Sequence, residues 1–286
     1  MEYQEADLSH AFLAKLAEYP CPPKQLWQIG KLPNDGHKVV SIVGARRCTP
    51  YGENVAYKLS FELAKRGVVI VSGLAYGIDA CAHRGCLDAG GATVAVLGTP
   101  IDKIYPKSNL GLAQRIIERG AIISEYQPGT ETQNWHFLER NRIVAGLADA
   151  LVVVEASRRS GTHQTASDAN ERGIDVYAVP GDIFRPMSVG CNNLIYDFAR
   201  PLVSIDDFII DLLGASANRE ERRKLAIQDM AESAKQIVEA LEQGICSGEE
   251  IMQRYQIPID ELNRQAILLE LRGIIRPYGI SSWILK

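Results

Sequence analysis

The sequence predicts an α/β fold in which helices cover one parallel sheet, followed by a smaller helical domain. The first observation is that short apolar segments bounded by glycine alternate with helical patterns from residue 38 onward. Strands buried on both faces have such sequences, and their alternation with helices specifies right-handed crossovers. The second observation is three helical patterns before a short hairpin, as in a winged helix. We therefore expect a doubly wound, Rossmann-like parallel-sheet domain with a small C-terminal winged-helix domain.

Six strands and five helices make up the predicted Rossmann-like domain. The strands are expected at 39–43, 68–71, 92–97, 121–124, 151–154 and 175–179. The helices between them are expected at 53–66, 78–89, 110–119, 138–147 and 164–172. The preceding residues contain an amphipathic segment at 8–19 and a proline-rich turn.

A change in composition near residues 214–218 marks the predicted end of this domain. The sequence then becomes strongly charged at 219–224. Helical patterns follow at 229–243, 247–255 and 258–272, and residues 280–285 form a closing hairpin. We therefore divide the chain into a short N-terminal segment, 1–36, a Rossmann-like domain, 37–214, and a winged-helix-like domain, 219–286.

The composition excludes several classes of protein. With 46% hydrophobic and 23% charged residues among 286, the chain is typical of a globular protein. Its net charge of -4 argues against a generally basic nucleic-acid binder, although a local arginine cluster can set the field of one groove. The sequence shows no signal peptide and no apolar segment of membrane-spanning length. The six cysteines lack zinc-ligand spacing, so we expect reduced thiols, no metal site and a cytoplasmic location.

Glycine-rich turns follow several of the predicted strands. In a doubly wound sheet these turns lie together at the carboxyl edge, where ligands bind. Gly44, Ala45, Arg46 and Arg47 follow the first strand. A glycine lets the backbone approach a phosphate, and a guanidinium offers paired donors to it. Alternatively, Gly44 only permits the turn and the arginines are solvated.

The helix after the fifth predicted strand begins near Gly161 and Thr162. Free N–H groups at a helix N-terminus favour anions, so we expect these two residues to join the site. Several arginines fall at or near the same edge, which favours a polymer of phosphates as the ligand. They are Arg46, Arg47, Arg140, Arg142, Arg158 and Arg159.

Residues 134–142 interleave aromatic and basic side chains. A protein that binds single-stranded nucleic acid needs this mixture, because ring faces stack on unstacked bases and guanidinium groups bind phosphates. The candidate contacts are Phe137, Arg140 and Arg142. Phe137 is equally well interpreted as a core anchor, and Trp135 is interpreted as core.

Acidic side chains near this edge are interpreted as structural. Asp79 falls in the first turn of a predicted helix, where a carboxylate is favoured. His83 lies one turn further on and is expected to pair with it. No spacing recommends a catalytic residue, so we assign none.

The motifs between residues 37 and 200 resemble, in one colinear series, those of the DNA processing protein A family, also called DprA or Smf. The segments that carry the resemblance are 43–46, 49–52, 72–85, 105–109, 124–130, 140–147, 153–156 and 179–181.

The resemblance implies an extended Rossmann-like domain that binds single-stranded DNA. The same resemblance implies that the protein protects incoming DNA and loads the RecA recombinase in natural transformation. It also implies a homodimer without catalytic activity or cofactor. The family's DNA pocket corresponds to Gly44, Ala45 and Arg46, with help from basic residues near Lys107 and Arg140.

Two departures from the family pattern fall beside this pocket. Tyr76 stands where relatives usually have a basic residue, which weakens the positive charge of the turn or offers a stacking face. His163 and Gln164 stand where relatives commonly continue with Ser or Thr and then Leu.

Two other classes of function fit parts of the sequence. A Rossmann-type nucleotide-binding enzyme, such as a nucleotide phosphoribohydrolase, also uses a glycine-rich turn ending in Gly-Thr. Such enzymes place an acidic residue one turn later, where this chain has His163, Gln164 and Thr165. An adaptor or sensor would use the sheet edge for a small nucleotide and the winged helix for partners.

The third helix of the predicted winged helix is poorly suited to duplex DNA, because its acidic residues outnumber its basic ones. It carries Asp260, Glu261 and Glu270 against Arg264 and Arg272. We expect Leu268, Leu269 and Leu271 to lie in the core, and we expect this domain to serve protein contacts.

Overall fold

A broad sheet with helices on both faces forms the larger part of the protein. The computed structural model describes residues 2–19, 21–214, 230–272, 274–279 and 281–285. Contacts divide the chain into two units, Met1–Leu212 and Leu213–Lys286. None of the helices in these described ranges is both long and apolar enough to cross a membrane.

The described residues of the first unit contain nine strands in a single sheet. The strands are β1 (Gln4–Glu5), β2 (Trp27–Gly30), β3 (Val39–Val43), β4 (Val69–Ser72), β5 (Thr93–Leu97), β6 (Ala121–Ser124), β7 (Ala150–Val153), β8 (Asp175–Ala178) and β9 (Arg200–Pro201). Their order in the sheet is β1-β2-β6-β5-β4-β3-β7-β8-β9. The strands from β6 to β9 in this order are parallel, whereas β2 pairs antiparallel with β6 and β1 with β2. The winding direction therefore changes between β3 and β7.

Seven helices of the first unit are described. They are α1 (Pro50–Ala64), α2 (Ile78–Asp88), α3 (Leu110–Arg119), α4 (His136–Gly146), α5 (Gly161–Asn170), α6 (Pro186–Asp197) and α7 (Ile205–Leu213). A 3-10 helix, Ala11–Glu18, occupies the amphipathic segment near the N-terminus.

The structure confirms the α/β fold with a large, mostly parallel sheet. Each of the six predicted strands is present, with bounds that differ by at most one residue from those expected. The sequence prediction missed β2, which pairs Ile29 with Ile122 of β6. Only the two central residues of β2 are buried, so it lacks the continuous apolar pattern of the parallel strands.

The two faces of the sheet have separate cores, because alternate side chains of a strand point to opposite faces. On one face, Val94 and Val96 of β5 belong to the cluster that includes residues of α4 and α5. On the other face, Ala95 and Leu97 pack in a cluster with residues of α2 and α3. The sheet is thereby covered on both sides, and its polar ends remain available for a site.

The second unit contains three described helices followed by a hairpin. They are α8 (Glu232–Glu242), α9 (Gly248–Tyr255) and α10 (Ile259–Leu271), with strands β10 (Ile275–Gly279) and β11 (Ser282–Leu285). Their buried side chains, such as Ile237, Ile251 and Trp283, form one core cluster. The winged-helix assignment and the domain boundaries stay predictions, and the charged segment 219–224 lies outside the described residues.

The outer face of α10 corrects one expectation about the core. Leu269 is fully buried, but Leu268 is 41% and Leu271 is 79% exposed, so the prediction that all three leucines are buried is wrong. Ile267, on the same helix, is 57% exposed. A helix that packs on a core with one side exposes the residues on its other side, and in α10 these three exposed residues are apolar.

A neutral histidine lies in the core of the first unit. His83 of α2 is fully buried, and its Nδ1 lies 2.7 Å from the hydroxyl of Thr93. The expected pairing of His83 with Asp79 is replaced by this contact, because the Asp79 carboxylate accepts backbone N–H groups instead. Burial lowers the pKa of His83 to about 3.

The low pKa of His83 makes the stability of the fold dependent on pH. Between about pH 6.5 and pH 3 the unfolded chain protonates this histidine and the folded chain does not, so stability falls as the pH drops through this range. When the pH drops from 7.5 to 5, we expect the free energy of unfolding of His83→Gln to fall by roughly 2 kcal/mol less than that of the wild type. Urea denaturation at both values measures this. His37→Gln, a change of an exposed histidine, should keep the wild-type dependence, and an equal pH response of wild type and His83→Gln would contradict the prediction.

Candidate functional site

A cleft of about 450 Å³ opens where the sheet changes its winding direction, between β3 and β7. The turns after β3, β4 and β7, the helix α4 and the start of α5 form its walls. A crevice at this position is the usual ligand site of doubly wound sheets. The predicted glycine-rich turns therefore meet in one place.

The backbone of Ala45 connects the three strand ends around the cleft. Its N–H donates to the Glu155 carbonyl after β7, at 2.8 Å. Its carbonyl accepts from the N–H of Ile78, the first residue of α2, at 3.3 Å. The turn that carries Arg46 and Arg47 is therefore fixed by main-chain bonds on both sides.

Two glycines allow the turns to approach each other so closely. Gly77 adopts φ 74° and ψ -124°, a region that other residues rarely occupy. A Cβ added there would lie 2.7 Å from the carbonyl oxygen of Arg46 and closer still to that of Ala45. A Cβ on Gly44 would lie 2.7 Å from the Ile78 side chain. Both positions therefore require glycine for the close contact.

A buried carboxylate holds the start of α1 against the end of β7. Glu155 accepts from the N–H of Thr49 at 2.8 Å and from its hydroxyl at 2.5 Å. Thr49 is in turn the N-cap of α1, and its side chain accepts from the N–H of Gly52. Glu155 is therefore occupied in holding the helix at the cleft edge.

A buried arginine and aspartate organise the turn after β4. The Nη1 of Arg140 donates to the carbonyl of Gly73, at 2.7 Å, and to that of Val96 in β5. The Asp79 carboxylate accepts from the N–H groups of Gly73 and Ala75, at 3.1 and 3.4 Å. Burial raises the pKa of Asp79, and the Arg140 charge opposes this rise. The two charges thereby stabilise each other at the base of the cleft.

Three exposed arginines and one aromatic ring give the cleft its chemical character. Arg46, Arg47 and Arg159 are exposed and line the cleft. No ion pair of these three side chains occurs among the residues that the structure describes. The Arg46 guanidinium lies 5.7 Å from the centroid of the half-buried Phe137 ring. The cleft thus combines free positive charge with a flat apolar surface.

The N-terminus of α5 adds a further positive end to the cleft. Gly161 and Thr162 begin this helix and line the cleft, and the N-cap Ser160 accepts from the Thr162 N–H at 3.2 Å. The helix dipole adds partial positive charge at this end. The Nε2 atom of His163 lies 3.2 Å from the carbonyl oxygen of Ser157.

Most of the predicted site residues line this one cleft. They are Gly44, Ala45, Arg46, Arg47, Phe137, Arg140, Gly161 and Thr162. Arg142 lies apart, because its Nη2 donates to both carboxylate oxygens of Glu125, at 2.5 and 2.6 Å. Lys107 is exposed and lines a second cavity with Asp102, Lys103 and apolar residues, outside the cleft.

Two aromatic side chains beside the cleft are exposed. Trp135 is 53% exposed, so its interpretation as a core residue is wrong. It directly precedes α4. Tyr76, which stands in the turn after β4, is 48% exposed.

Several cleft residues were not singled out from the sequence. Ser157, Ser160, Asn141 and Met187 line the cleft together with the predicted residues. The N-cap signal of a serine before a predicted helix could have indicated Ser160. Met187 comes from α6, a helix that was not predicted, so no sequence signal pointed to it.

The fold and the cleft together define a class of protein. A doubly wound sheet carries a cationic cleft at its switch point, and the one acidic residue among the described lining, Asp79, is held by the backbone. This is a Rossmann-type protein with a cationic cleft at the usual ligand position of its sheet. The sequence matches the family described as DNA recombination-mediator protein A over residues 6–213, and the chain belongs to that family.

Relatives and solved structures agree with this family. A putative DNA processing protein DprA of Mycobacterium tuberculosis is 41% identical over 228 residues, which are 78% of this chain and 59% of that protein. This chain therefore spans less than two thirds of that relative. The DNA processing protein DprA of Streptococcus pneumoniae is 40% identical over 196 residues, 68% of this chain and 69% of the relative.

Two solved structures of DNA processing protein A share the fold. The structure from Streptococcus pneumoniae matches with a TM-score of 0.69 and 36% identity, over 74% of this chain and 75% of that chain. The structure from Helicobacter pylori matches with a TM-score of 0.67 and 31% identity, over 74% of this chain and 96% of that chain.

Gly77→Ala tests the close contact of the turns around the cleft. We expect it to lower the free energy of unfolding by roughly 3 kcal/mol, because the added Cβ meets backbone oxygens that cannot move away and the residue keeps a strained conformation. Gly173→Ala is the matched control, since Gly173 has φ +71° and open space around it. It should cost about 1 kcal/mol. Chemical denaturation compares the two, and equal losses would show that the contact between the turns is unimportant.

Proposed function

We propose that this protein binds single-stranded DNA in the cleft between β3 and β7. The observation that carries the proposal is the combination of Arg46, Arg47 and Arg159 with the Phe137 ring. Guanidinium groups bind phosphates, and an aromatic face stacks on an unpaired base of any sequence. The related structure from Helicobacter pylori is described as having a single-stranded DNA binding mode, which supports the proposal.

A path for a polymer leads away from the cleft. The ring of Tyr105 lies 5.7 Å from that of Phe137, measured between centroids, and is 47% exposed. Two residues beyond Tyr105, the exposed Lys107 borders the second cavity. We infer that a strand held at Arg46 continues over these rings to Lys107. Only a polymer would contact Arg46, the two rings and Lys107 in this order, so the arrangement favours a polymer.

The carboxylates at this edge of the sheet support a binding role without catalysis. Asp79 accepts backbone N–H groups, and Glu155 holds Thr49, so neither is free to act as a general base. A nucleotide phosphoribohydrolase would need such a group in the cleft. Incubation with nucleoside monophosphates should release no free base, and release of base would refute the non-enzymatic proposal.

The wider role that we propose is protection of incoming DNA and loading of the RecA recombinase during natural transformation, by a homodimer in the cytoplasm. The segment 183–203 supports an assembly, because Phe184, Tyr196 and Val203 are 87, 91 and 75% exposed. Exposed apolar side chains at this density mark interaction surfaces. Light scattering measures the mass in solution, and strand exchange on protein-coated DNA measures RecA loading. A monomeric mass or no stimulation of RecA would contradict the respective part.

Arg46→Ala tests the cleft directly. We expect it to weaken single-stranded DNA binding by roughly 1.5–3 kcal/mol, more than any other single arginine change in the first unit, because a charge-assisted contact is lost. The dependence of the affinity on salt should also fall by about 0.7 in log–log slope, since one phosphate contact disappears. Fluorescence anisotropy with labelled oligonucleotides of different sequence measures both quantities.

Arg115→Ala is the control for Arg46→Ala. Arg115 is exposed on α3 and pairs with Asp88, outside the cleft. Its loss should leave DNA affinity unchanged. Unchanged affinity of a folded Arg46→Ala variant at moderate salt, or a strong preference of the wild type for one short sequence, would refute the proposal.

The second unit is predicted to serve protein contacts. Glu249, Glu250, Asp260 and Glu261 lie in the first turns of α9 and α10, where they repel phosphate. The exposed apolar face of α10 instead suits a protein partner. We expect the isolated C-terminal domain, residues 219–286, to bind duplex DNA weakly or not at all at physiological salt. Micromolar or tighter binding in a gel-shift assay would show the prediction to be wrong.

A further inference from the structure

Two cysteines and a glutamate come together at the surface between α1 and α2. The Sγ atoms of Cys48 and Cys81 and a carboxylate oxygen of Glu53 all lie within 4.8 Å of one another. Cys48 precedes α1 and Cys81 lies in the first turns of α2, so this cluster joins two segments that are distant in sequence. The spacing of cysteines along the chain therefore gave no sign of it.

We propose that Cys48, Glu53 and Cys81 form a binding site for one Zn²⁺ ion. Two thiolates and one carboxylate are a ligand set that zinc accepts, whereas Mg²⁺ and Ca²⁺ prefer oxygen ligands alone. On binding, each thiol gives its proton to solvent and its sulfur bonds the ion. The fourth position of the tetrahedron is open to a water molecule.

The distances fit a tetrahedral ion without a large rearrangement. Zinc–sulfur bonds near 2.3 Å and zinc–oxygen bonds near 2.1 Å place neighbouring ligand atoms roughly 3.6–3.8 Å apart. Cys48 Sγ lies 3.7 Å from Glu53 Oε1, which agrees with this separation. The upper limit of 4.8 Å for the remaining pairs requires shifts of about 1 Å at most.

The surroundings of the cluster supply an entry path and a supporting hydrogen bond. Glu53 is exposed and Cys48 is half-buried, so an ion can reach the site from solvent, while Cys81 is only 3% exposed. The Nη2 of Arg84 donates to Cys81 Sγ at 3.1 Å. Such a donor next to a metal-binding thiolate orients it. The Glu53 carboxylate supplies a third ligand, which two cysteines alone would lack.

A bound ion would connect the cleft turn to α2. Cys48 follows Arg47 directly in the chain, and Cys81 lies three residues after Ile78, which bonds to Ala45. The ion would therefore fix the turn that carries Arg46 and Arg47 by a second connection. The site itself does not depend on the proposed DNA binding, and its test needs no DNA.

The test measures zinc in the full chain. The protein is reduced with a non-chelating phosphine, stripped of metal, equilibrated with zinc chloride and desalted, and metal is counted by plasma mass spectrometry. We expect one Zn²⁺ per chain and no retained Mg²⁺ in a parallel sample. With Co²⁺ in place of zinc, we expect the thiolate charge-transfer absorption of a tetrahedral site.

Single substitutions assign the ligands. Cys48→Ser and Cys81→Ser should lose the zinc and the cobalt absorption, whereas Cys21→Ser and Cys246→Ser should keep both. Glu53→Gln changes an exposed side chain and is expected to fold, and it should weaken zinc binding at least about tenfold in competition with a chelating dye. Circular dichroism without metal verifies the fold of each variant.

Three results would overturn the proposal. The first is a wild-type protein that retains no zinc under these conditions. The second is zinc binding in Cys48→Ser or Glu53→Gln that equals the wild type. The third is a Cys48–Cys81 disulfide, found by peptide mapping, in protein that has been purified under reducing conditions and takes up no metal.

Discussion

The site depends on the backbone of Ala45, which bonds to Glu155 after β7 and to Ile78, the first residue of α2. Its N–H and carbonyl are both used, and they fix the distance between three turns that belong to separate parts of the sequence. Backbone polar groups at the end of a sheet would otherwise need water or ligand as partners. Because the turns are so close, Gly77 has no room for a side chain. The position of every arginine on these turns follows from this arrangement.

The arginines of the cleft have two different tasks that their sequence context does not separate. Arg140 is 5% exposed and donates to the backbone of Gly73 and Val96. A buried guanidinium is tolerated only with such partners and a nearby opposite charge, which Asp79 provides. Arg46 and Arg47, in contrast, are exposed. The buried arginine therefore shapes the turn, and the exposed arginines are the ones available to a ligand.

Most strands and helices of the sheet could be predicted from the sequence, and eight of the ten predicted site residues line the cleft, since this information is local. Buried parallel strands have continuous apolar segments, and the glycine turns after them mark the carboxyl edge. Arg142 illustrates the limit, because its partner Glu125 lies 17 residues earlier, directly after β6 and outside the helix that carries Arg142. The contact between Cys48 and Cys81 is likewise a result of helix packing. The periodicity of a sequence does not reveal which side chains on different helices and strands contact each other.

The acidic groups at the strand ends beside the cleft have structural partners. A catalytic carboxylate must reach the substrate and exchange a proton with it. In this protein the carboxylates at the strand ends, Asp79 and Glu155, accept backbone N–H groups and hold two helices in place. The electrostatic field in the cleft is then set by Arg46, Arg47 and Arg159 and by the start of α5. Such a field attracts phosphates to the cleft.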